Sequence, residues 1–426
     1  MSADIDRDDL SHLLGLVAAH ERWRGDCLNL VASENRHGEV VRRLLACDLA
    51  GRYGDYHGRD LRQRKYMGTR YIVEIEELAD RLVRELFHAQ YAELRALSGH
   101  LAATATILAL TRPGDTVLEV DRNGGGHRTA GKLAASTGFP LTVRALPFDA
   151  LAHTVDADAA IGLMRETRPR LVILGSSTFL FPHPVEVLAQ AARELEGTFL
   201  IYDGAHVMGL LAAGLFQAPL EDGAHLIVGS SHKVVPGPQG GLILANDGAL
   251  VTRVSEAVHP GLIANHHLAR VAALAATFIE MKASGRAYAR QTVQNAQALG
   301  AALDARGIRV VGSQRGYTQS HTVVVLPPPS TEAGTAAERL EAGGIIVTVC
   351  ALDPSLGGAG LRFGVQEVTR AGATVEIMDD IAGLVVEALG SDRSPGTTAG
   401  KVREFVAERL SKRPYDLLRP AEAADA

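Results

Sequence analysis

Little in this chain could form a covalent framework. Its three cysteines, Cys27, Cys47 and Cys350, are odd in number and far apart, which excludes a disulfide-stapled fold. A basic excess is missing too: 43 lysines and arginines face 49 aspartates and glutamates, a net charge of -6, so no nucleic-acid surface is expected. No apolar run is long enough to span a bilayer, and the acidic N-terminus has no apolar signal core. The expectation is a soluble, cytoplasmic protein without membrane contact. Internal repeats and low-complexity segments are absent. What is present is a globular composition over 426 residues, 46% hydrophobic and 22% charged. That length suits two domains, or one large domain with an appendage. The 44 glycines often fall where strand-like runs end, as tight α/β connections require.

Periodicity predicts helices over 5–23, with Leu10, Leu13, Leu14 and Val17 on one face, over 38–47 and over 72–86. From about residue 90 strands and helices alternate. Strands are expected at 116–120, 141–146, 170–174, 198–202 and 224–228, with helices opening near Gly99 and spanning 185–194. This rhythm argues for a mostly parallel sheet covered by helices on both faces. Residues 266–304 read as helical, followed by strands at 308–311, 321–326 and 344–349 and a helix over 332–341. The stretch 390–398 reads as a linker, and 401–410 as a last amphipathic helix.

In open α/β sheets ligands bind at the carboxyl ends of the strands. Asp203 and Lys233 lie at two such ends, near the turns at Gly99 and Gly124–Gly126. Lys233 cannot continue a helix, because Pro236 and Pro238 follow it. A carboxylate and a lysine so placed could simply form an ion pair. Alternatively the lysine forms a Schiff base with pyridoxal phosphate, and the aspartate keeps the ring nitrogen protonated. The helix start at Ser98-Gly99-His100 would then offer N–H groups to phosphate. Spacing alone leaves both readings open.

Five blocks narrow the choice: Leu30-Val-Ala-Ser-Glu-Asn35, Gly124-Gly-Gly-His127, Asp203-Gly-Ala-His-Val-Met-Gly209, Ser231-His-Lys-Val-Val-Pro-Gly-Pro-Gln-Gly-Gly241 and Gly360-Leu-Arg-Phe-Gly364. In this order they resemble serine hydroxymethyltransferase and its relatives, pyridoxal-phosphate enzymes of fold type I, the aspartate-aminotransferase fold. The resemblance runs from about Leu28 to the C-terminal helix. It implies an N-terminal arm over 1–45, a large cofactor-binding domain with a mostly parallel sheet over 46–280, and a smaller α+β domain over 281–426. It also implies a homodimer with shared active sites and an amino-acid substrate.

By position, Lys233 resembles the Schiff-base lysine, Asp203 the pyridinium partner and His127 the histidine stacked on the ring. His206 and Ser177 resemble groups near the ring's phenolic oxygen, and Ser98, Gly99, His100 and His232 those around the phosphate. Arg362 and Ser33 match the substrate-carboxylate clamp, where a planar guanidinium suits two oxygens. Tyr53 and Asp55 fall on the family's Tyr-x-Glu, which reaches the partner subunit's site, and Tyr66 on the first of its tandem tyrosines. No metal ligands are implied. Each residue also has a plainer explanation. Ser33 and Ser177 could be turn hydroxyls, His127 a helix cap, and Arg362 the partner of a carboxylate. Tyr56, His57 and the basic run from Arg59 to Arg64 read as a solvated face.

The sequence departs from the family's pattern where the one-carbon acceptor is handled. Asp55 replaces a glutamate, Met67 a second tyrosine, and His100-Leu101 the usual hydroxyl residues of the phosphate turn. Arg122 and Arg128 fall where apolar residues sandwich folate, and Cys350 near the asparagine that bonds the pterin. Chemistry without tetrahydrofolate is therefore expected: aldol or retro-aldol cleavage at Cα–Cβ of a β-hydroxy amino acid, of hydroxymethyltransferase or threonine-transaldolase type. This mixture resembles the family's branches in specialised metabolism. The alternatives are β-elimination or oxidative decarboxylation of a cysteine S-conjugate, as in lincosamide antibiotic biosynthesis, formation of α-methylserine, and a non-catalytic homologue.

Overall fold

Seven of the strands join in one sheet: β1 (Tyr91–Glu93), β2 (Thr116–Glu119), β3 (Thr142–Ala145), β4 (Leu171–Gly175), β5 (Phe199–Asp203), β6 (Leu226–Ser230) and β7 (Gly241–Ala245). A computed structural model describes residues 7–390, 395–410 and 414–418 of the chain. The strands lie in the order β1-β7-β6-β5-β4-β2-β3, and only β7 runs against its neighbours. Strands β4, β6 and β7 are buried along their whole length, as helices on both faces require. Gly241 pairs with Ser230, so the segment 231–240 is the loop of a wide hairpin at the carboxyl end of β6. Gly175 and Asp203 pair across β4 and β5 at the same edge.

A second sheet holds β8 (Thr322–Val325), β9 (Thr348–Ala351) and β10 (Ala359–Gly364), antiparallel in the order β8-β10-β9. The helix Leu268–Asp304 ties the two together. Its Val271, Phe278 and Tyr288 pack in the core of the large sheet, while Leu299 and Leu303 pack with Val323, Leu361 and Phe363. Leu28 and Leu30 join that second core, and Leu28–Asn29 pairs in parallel with Ile345–Ile346. No helix among the described residues is long and apolar enough to cross a membrane.

Several local expectations need correction. The strand expected at 308–311 is a single bridge between Val310 and Val325, and the one at 344–349 breaks into Ile345–Ile346 and Thr348–Ala351. The expected linker 390–398 overlaps the helix Pro395–Arg409, and its residues 391–394 lie outside those described. The expected first helix is present as Arg7–Gly25, and its Leu10, Leu13, Leu14 and Val17 are exposed. Most plainly, the basic run is only in part a solvated face, since His57 and Arg62 are exposed but Tyr56, Arg59 and Arg64 are not. Tyr56 is buried, Arg64 pairs with Glu76 at 2.5 Å with both side chains nearly inaccessible, and Arg59 donates to the Ala92 carbonyl at 3.1 Å.

Candidate active site

The carboxyl ends of β4, β5 and β6 and the start of the helix Gly99–Leu110 meet around one cavity of about 240 Å³. Ser98, Gly99, His100, His127, Ser177, Asp203, His206, His232 and Lys233 all line it, together with Ser176, Ala205, Ser230 and Gln239. Ser98 caps the helix by accepting from the Leu101 N–H at 3.0 Å. Gly99 is required by close approach: a Cβ there would collide with Ser230 Oγ and lie 3.2 Å from the Gly229 carbonyl. The helix thus begins against the end of β6, with its first N–H groups at the cavity.

Lys233 and Asp203 are both half-buried here. Burial lowers the Lys233 pKa to about 8, even though Asp203 pulls it upward. Burial likewise raises the Asp203 carboxyl, against the Ala205 N–H that donates to Oδ1 at 3.1 Å and the charge of Lys233. Around them stand imidazoles kept neutral. Burial, reinforced by Lys233, brings His232 to about 4 and holds His206 well below its ordinary value. His206 stacks on His321 with centroids 6.0 Å apart and planes 19° apart. His100 and His127 meet edge to face at 5.4 Å, and His127 Nδ1 shares a hydrogen bond with the Thr129 hydroxyl at 2.9 Å.

Arg362 comes from the second sheet. It is 9% exposed and donates from Nη1 to the Ser177 carbonyl at 2.6 Å and from Nε to the Thr348 hydroxyl at 3.2 Å. No carboxylate among the described residues pairs with it, so the ion-pair explanation of this arginine does not hold. A buried guanidinium bonded only to neutral groups is suited to an incoming carboxylate.

Comparison with known proteins decides the family. The model of the serine hydroxymethyltransferase family matches residues 8–385. A serine hydroxymethyltransferase of Methanopyrus kandleri is 40% identical over 410 residues, 94% of each chain. One from Pyrococcus abyssi is 39% identical over 418 residues, covering 94% of this chain and 95% of the other. The chain belongs to the serine hydroxymethyltransferase family. The crystal structure of L-threonine transaldolase from Pseudomonas fluorescens in its internal aldimine state superposes with a TM-score of 0.90 at 27% identity, covering 98% of this chain and 96% of that one. The fold is accordingly that of a fold-type I pyridoxal-phosphate enzyme, and this family member is a transferase with that cofactor.

The cavity fits the cofactor chemically. Among the described residues, His206 Nδ1 and His232 Nδ1 are buried with no hydrogen-bond partner, and so is His321 Nδ1 behind them. Asp203 has a single backbone donor for a half-buried carboxylate, which suits a cationic ring nitrogen. The helix start at Gly99 suits a phosphate.

Other expected site residues of this hydroxymethyltransferase relative lie elsewhere. Ser33 lines a wider cleft that adjoins the cavity through His232 and Gln239. Tyr53, Asp55 and Tyr66 do not line the Lys233 cavity. Tyr53 is 55% exposed and its ring packs 5.4 Å from that of Tyr66. Asp55 is buried 3.8 Å from His259 Nε2. Arg128 pairs with Asp121 at 3.2 Å, and both Arg122 and Arg128 are exposed. Cys350 sits on β9 near Arg362, where burial raises its thiol to about 11. Sequence reasoning assigned no role to His321, Gln239 or Asn35. Asn35 and Gln239 lie within the quoted motifs and His321 lies outside them, and only the packing reveals what they touch.

Proposed function

We propose that this enzyme makes or breaks the Cα–Cβ bond of a β-hydroxy amino acid without folate. Bound pyridoxal phosphate supplies an electron sink for electrons released at Cα. In this proposal Lys233 carries the cofactor and, with its lowered pKa, exchanges protons near neutral pH. Asp203 holds the ring nitrogen protonated and His127 stacks on the ring. Ser98, Gly99, His100 and His232 receive the phosphate, while His206 and Ser177 flank the phenolic oxygen. Arg362, with Ser33, grips the substrate carboxylate and so sets which Cα bond stands perpendicular to the ring. The observation that carries the proposal is the meeting of Lys233, Asp203 and an unpaired Arg362 from the second sheet.

The names of the relatives favour aldol chemistry, a hydroxymethyltransferase on one side and a threonine transaldolase on the other. Exposed, charged Arg122 and Arg128 in place of an apolar folate sandwich favour the folate-free form. We further propose a cytoplasmic homodimer in which Tyr53, Asp55 and Tyr66 serve the partner's cavity. The exposure of Tyr53 and of Met67, at 55% and 86%, supports this, as does the bare apolar face of Arg7–Gly25.

Products decide the reaction. Incubation with L-threonine, L-serine and an S-alkyl cysteine is expected to release acetaldehyde and glycine from threonine without added tetrahydrofolate. Pyruvate or a thiol from the cysteine conjugate would instead establish β-elimination, and a strict folate requirement would overturn the folate-free reading.

A further inference from the structure

One hydrogen-bonded chain outside the groups assigned above runs directly to the lysine. Asn35 Nδ2 donates to the Lys233 carbonyl oxygen at 2.6 Å and to Tyr288 Oη at 2.9 Å. Tyr288, 2% exposed on the helix Leu268–Asp304, donates to the Gln366 carbonyl at 3.1 Å. The buried Gln366 amide then returns to the N-terminal segment, donating to the Val31 and Glu34 carbonyls at 2.7 and 2.6 Å. Two further bonds hold the same segment. The Gly364 N–H, at the end of the strand carrying Arg362, donates to the Leu30 carbonyl at 2.7 Å, and His321 Nε2 donates to the Ala32 carbonyl at 3.0 Å.

Residues 30–35 are therefore fastened at one end to the Arg362 strand and at the other to the main chain of Lys233. Other bonds of the lysine loop brace it internally: Ser231 Oγ donates to the Pro238 carbonyl at 2.6 Å and the Gly237 N–H to the Ser231 carbonyl at 3.0 Å. Asn35 is different because it crosses between the two cores.

We propose that Asn35 is a positioning residue that fixes Lys233 relative to Arg362 through the Tyr288–Gln366 bridge. The inference rests on the roles given above to those two residues. A bond at Nζ leaves the lysine main chain unconstrained, and a shift of about 1 Å between reacting groups can cost about a hundredfold in rate. Asn35 supplies the constraint from the carbonyl side. The plainer explanation is that Asn35 only satisfies a buried carbonyl, in which case its loss lowers stability and nothing else.

Asn35→Leu keeps the branched shape and removes both donated bonds, whereas Tyr288→Phe removes the acceptor for Asn35 and the donor to Gln366 but leaves the Asn35–Lys233 bond. In the cofactor-loaded protein the pH midpoint of the visible absorbance is expected to move by about half a unit or more in Asn35→Leu, since the lysine shifts relative to Asp203 and Arg362. Tyr288→Phe should move it less, in the same direction. Acetaldehyde release from L-threonine should show kcat lowered about tenfold with KM within about twofold. An unchanged midpoint in both variants overturns the inference, even if both melt earlier. The midpoint needs no substrate, so it decides where threonine is not cleaved; if Asn35→Leu does not fold, the Tyr288→Phe midpoint decides alone. Lys233→Ala tests the underlying assignment separately, because it must abolish borohydride fixation of the cofactor.

Discussion

The Lys233 cavity and the base of the loop 51–69 are both crowded with buried ionisable groups, and they treat charge in opposite ways. Under the loop, Glu76 takes Arg64 and His266 at 2.5 Å each, and Glu93 takes Arg95 at 2.6 Å. Tyr56 lies between the two arginines, its ring centroid 4.9 Å from Arg64 and 4.3 Å from Arg95. There each carboxylate has a cation beside it, which braces the backbone carrying Tyr53, Asp55 and Tyr66, although Arg95 Nη1 and Arg270 Nη1 keep no hydrogen-bond partner among the described residues. In the cavity, Asp203 has one backbone donor and Arg362 only neutral partners. A buried charge left without an opposite charge at the carboxyl ends of the strands suits a ligand, whereas the ion pairs under the loop brace a scaffold.

The comparison can be broken most forcefully at Arg362. Arg362→Leu should lower kcat/KM for an amino acid by on the order of a hundredfold or more, since a charge-assisted pair of hydrogen bonds is lost. Its urea midpoint without cofactor should change little, because only two half-buried neutral acceptors lose a donor and no opposite charge is stranded. A large stability loss with intact kinetics would make Arg362 a scaffold residue. Glu76→Ala is the converse. It strands Arg64 and His266 and should cost about 3–5 kcal/mol in urea unfolding, with Lys233 still able to hold the cofactor. Stability within about 1 kcal/mol of the parent would show that the buried network is not holding the loop.

A smaller effect concerns the neutral imidazoles, and it is best read away from the cofactor. Burial brings His183 from an ordinary 6.5 down to about 3. Between those values the unfolded chain binds a proton that the folded chain refuses. Its stabilising contribution is therefore full above pH 6.5 and lost progressively as pH falls towards 3. His183→Asn should flatten the acid side of the stability profile by about 1.4 kcal/mol per pH unit. An unchanged slope would mean that His183 titrates normally.

The sheet strands and the covalent-anchor candidate are legible in the sequence because they depend on local pattern. Apolar runs ending in glycine, aspartate or Gly-Pro loops mark strand ends, and the helix expected at 185–194 appears as Val185–Glu194. Lys233, Asp203, His206 and the Ser98–His100 turn converge as the motif order implies. What is not legible depends on distant partners. A basic run reads as solvent-facing until Glu76 and Ala92 are folded against Arg64 and Arg59. Asn35 reaches a lysine 198 positions away, and no spacing announces that. The strand expected at 308–311 fails for the converse reason: its apolar residues suit a strand, but pairing is limited to one bridge at Val310.

The central claim is that Lys233 is the covalent anchor within the cavity. Borohydride reduction of the cofactor-loaded protein, followed by peptide mapping, tests it directly. A single stable pyridoxyl label is expected, on Lys233, absent from Lys233→Ala. A label on another lysine of the loaded protein, or undiminished labelling of the variant, would contradict it.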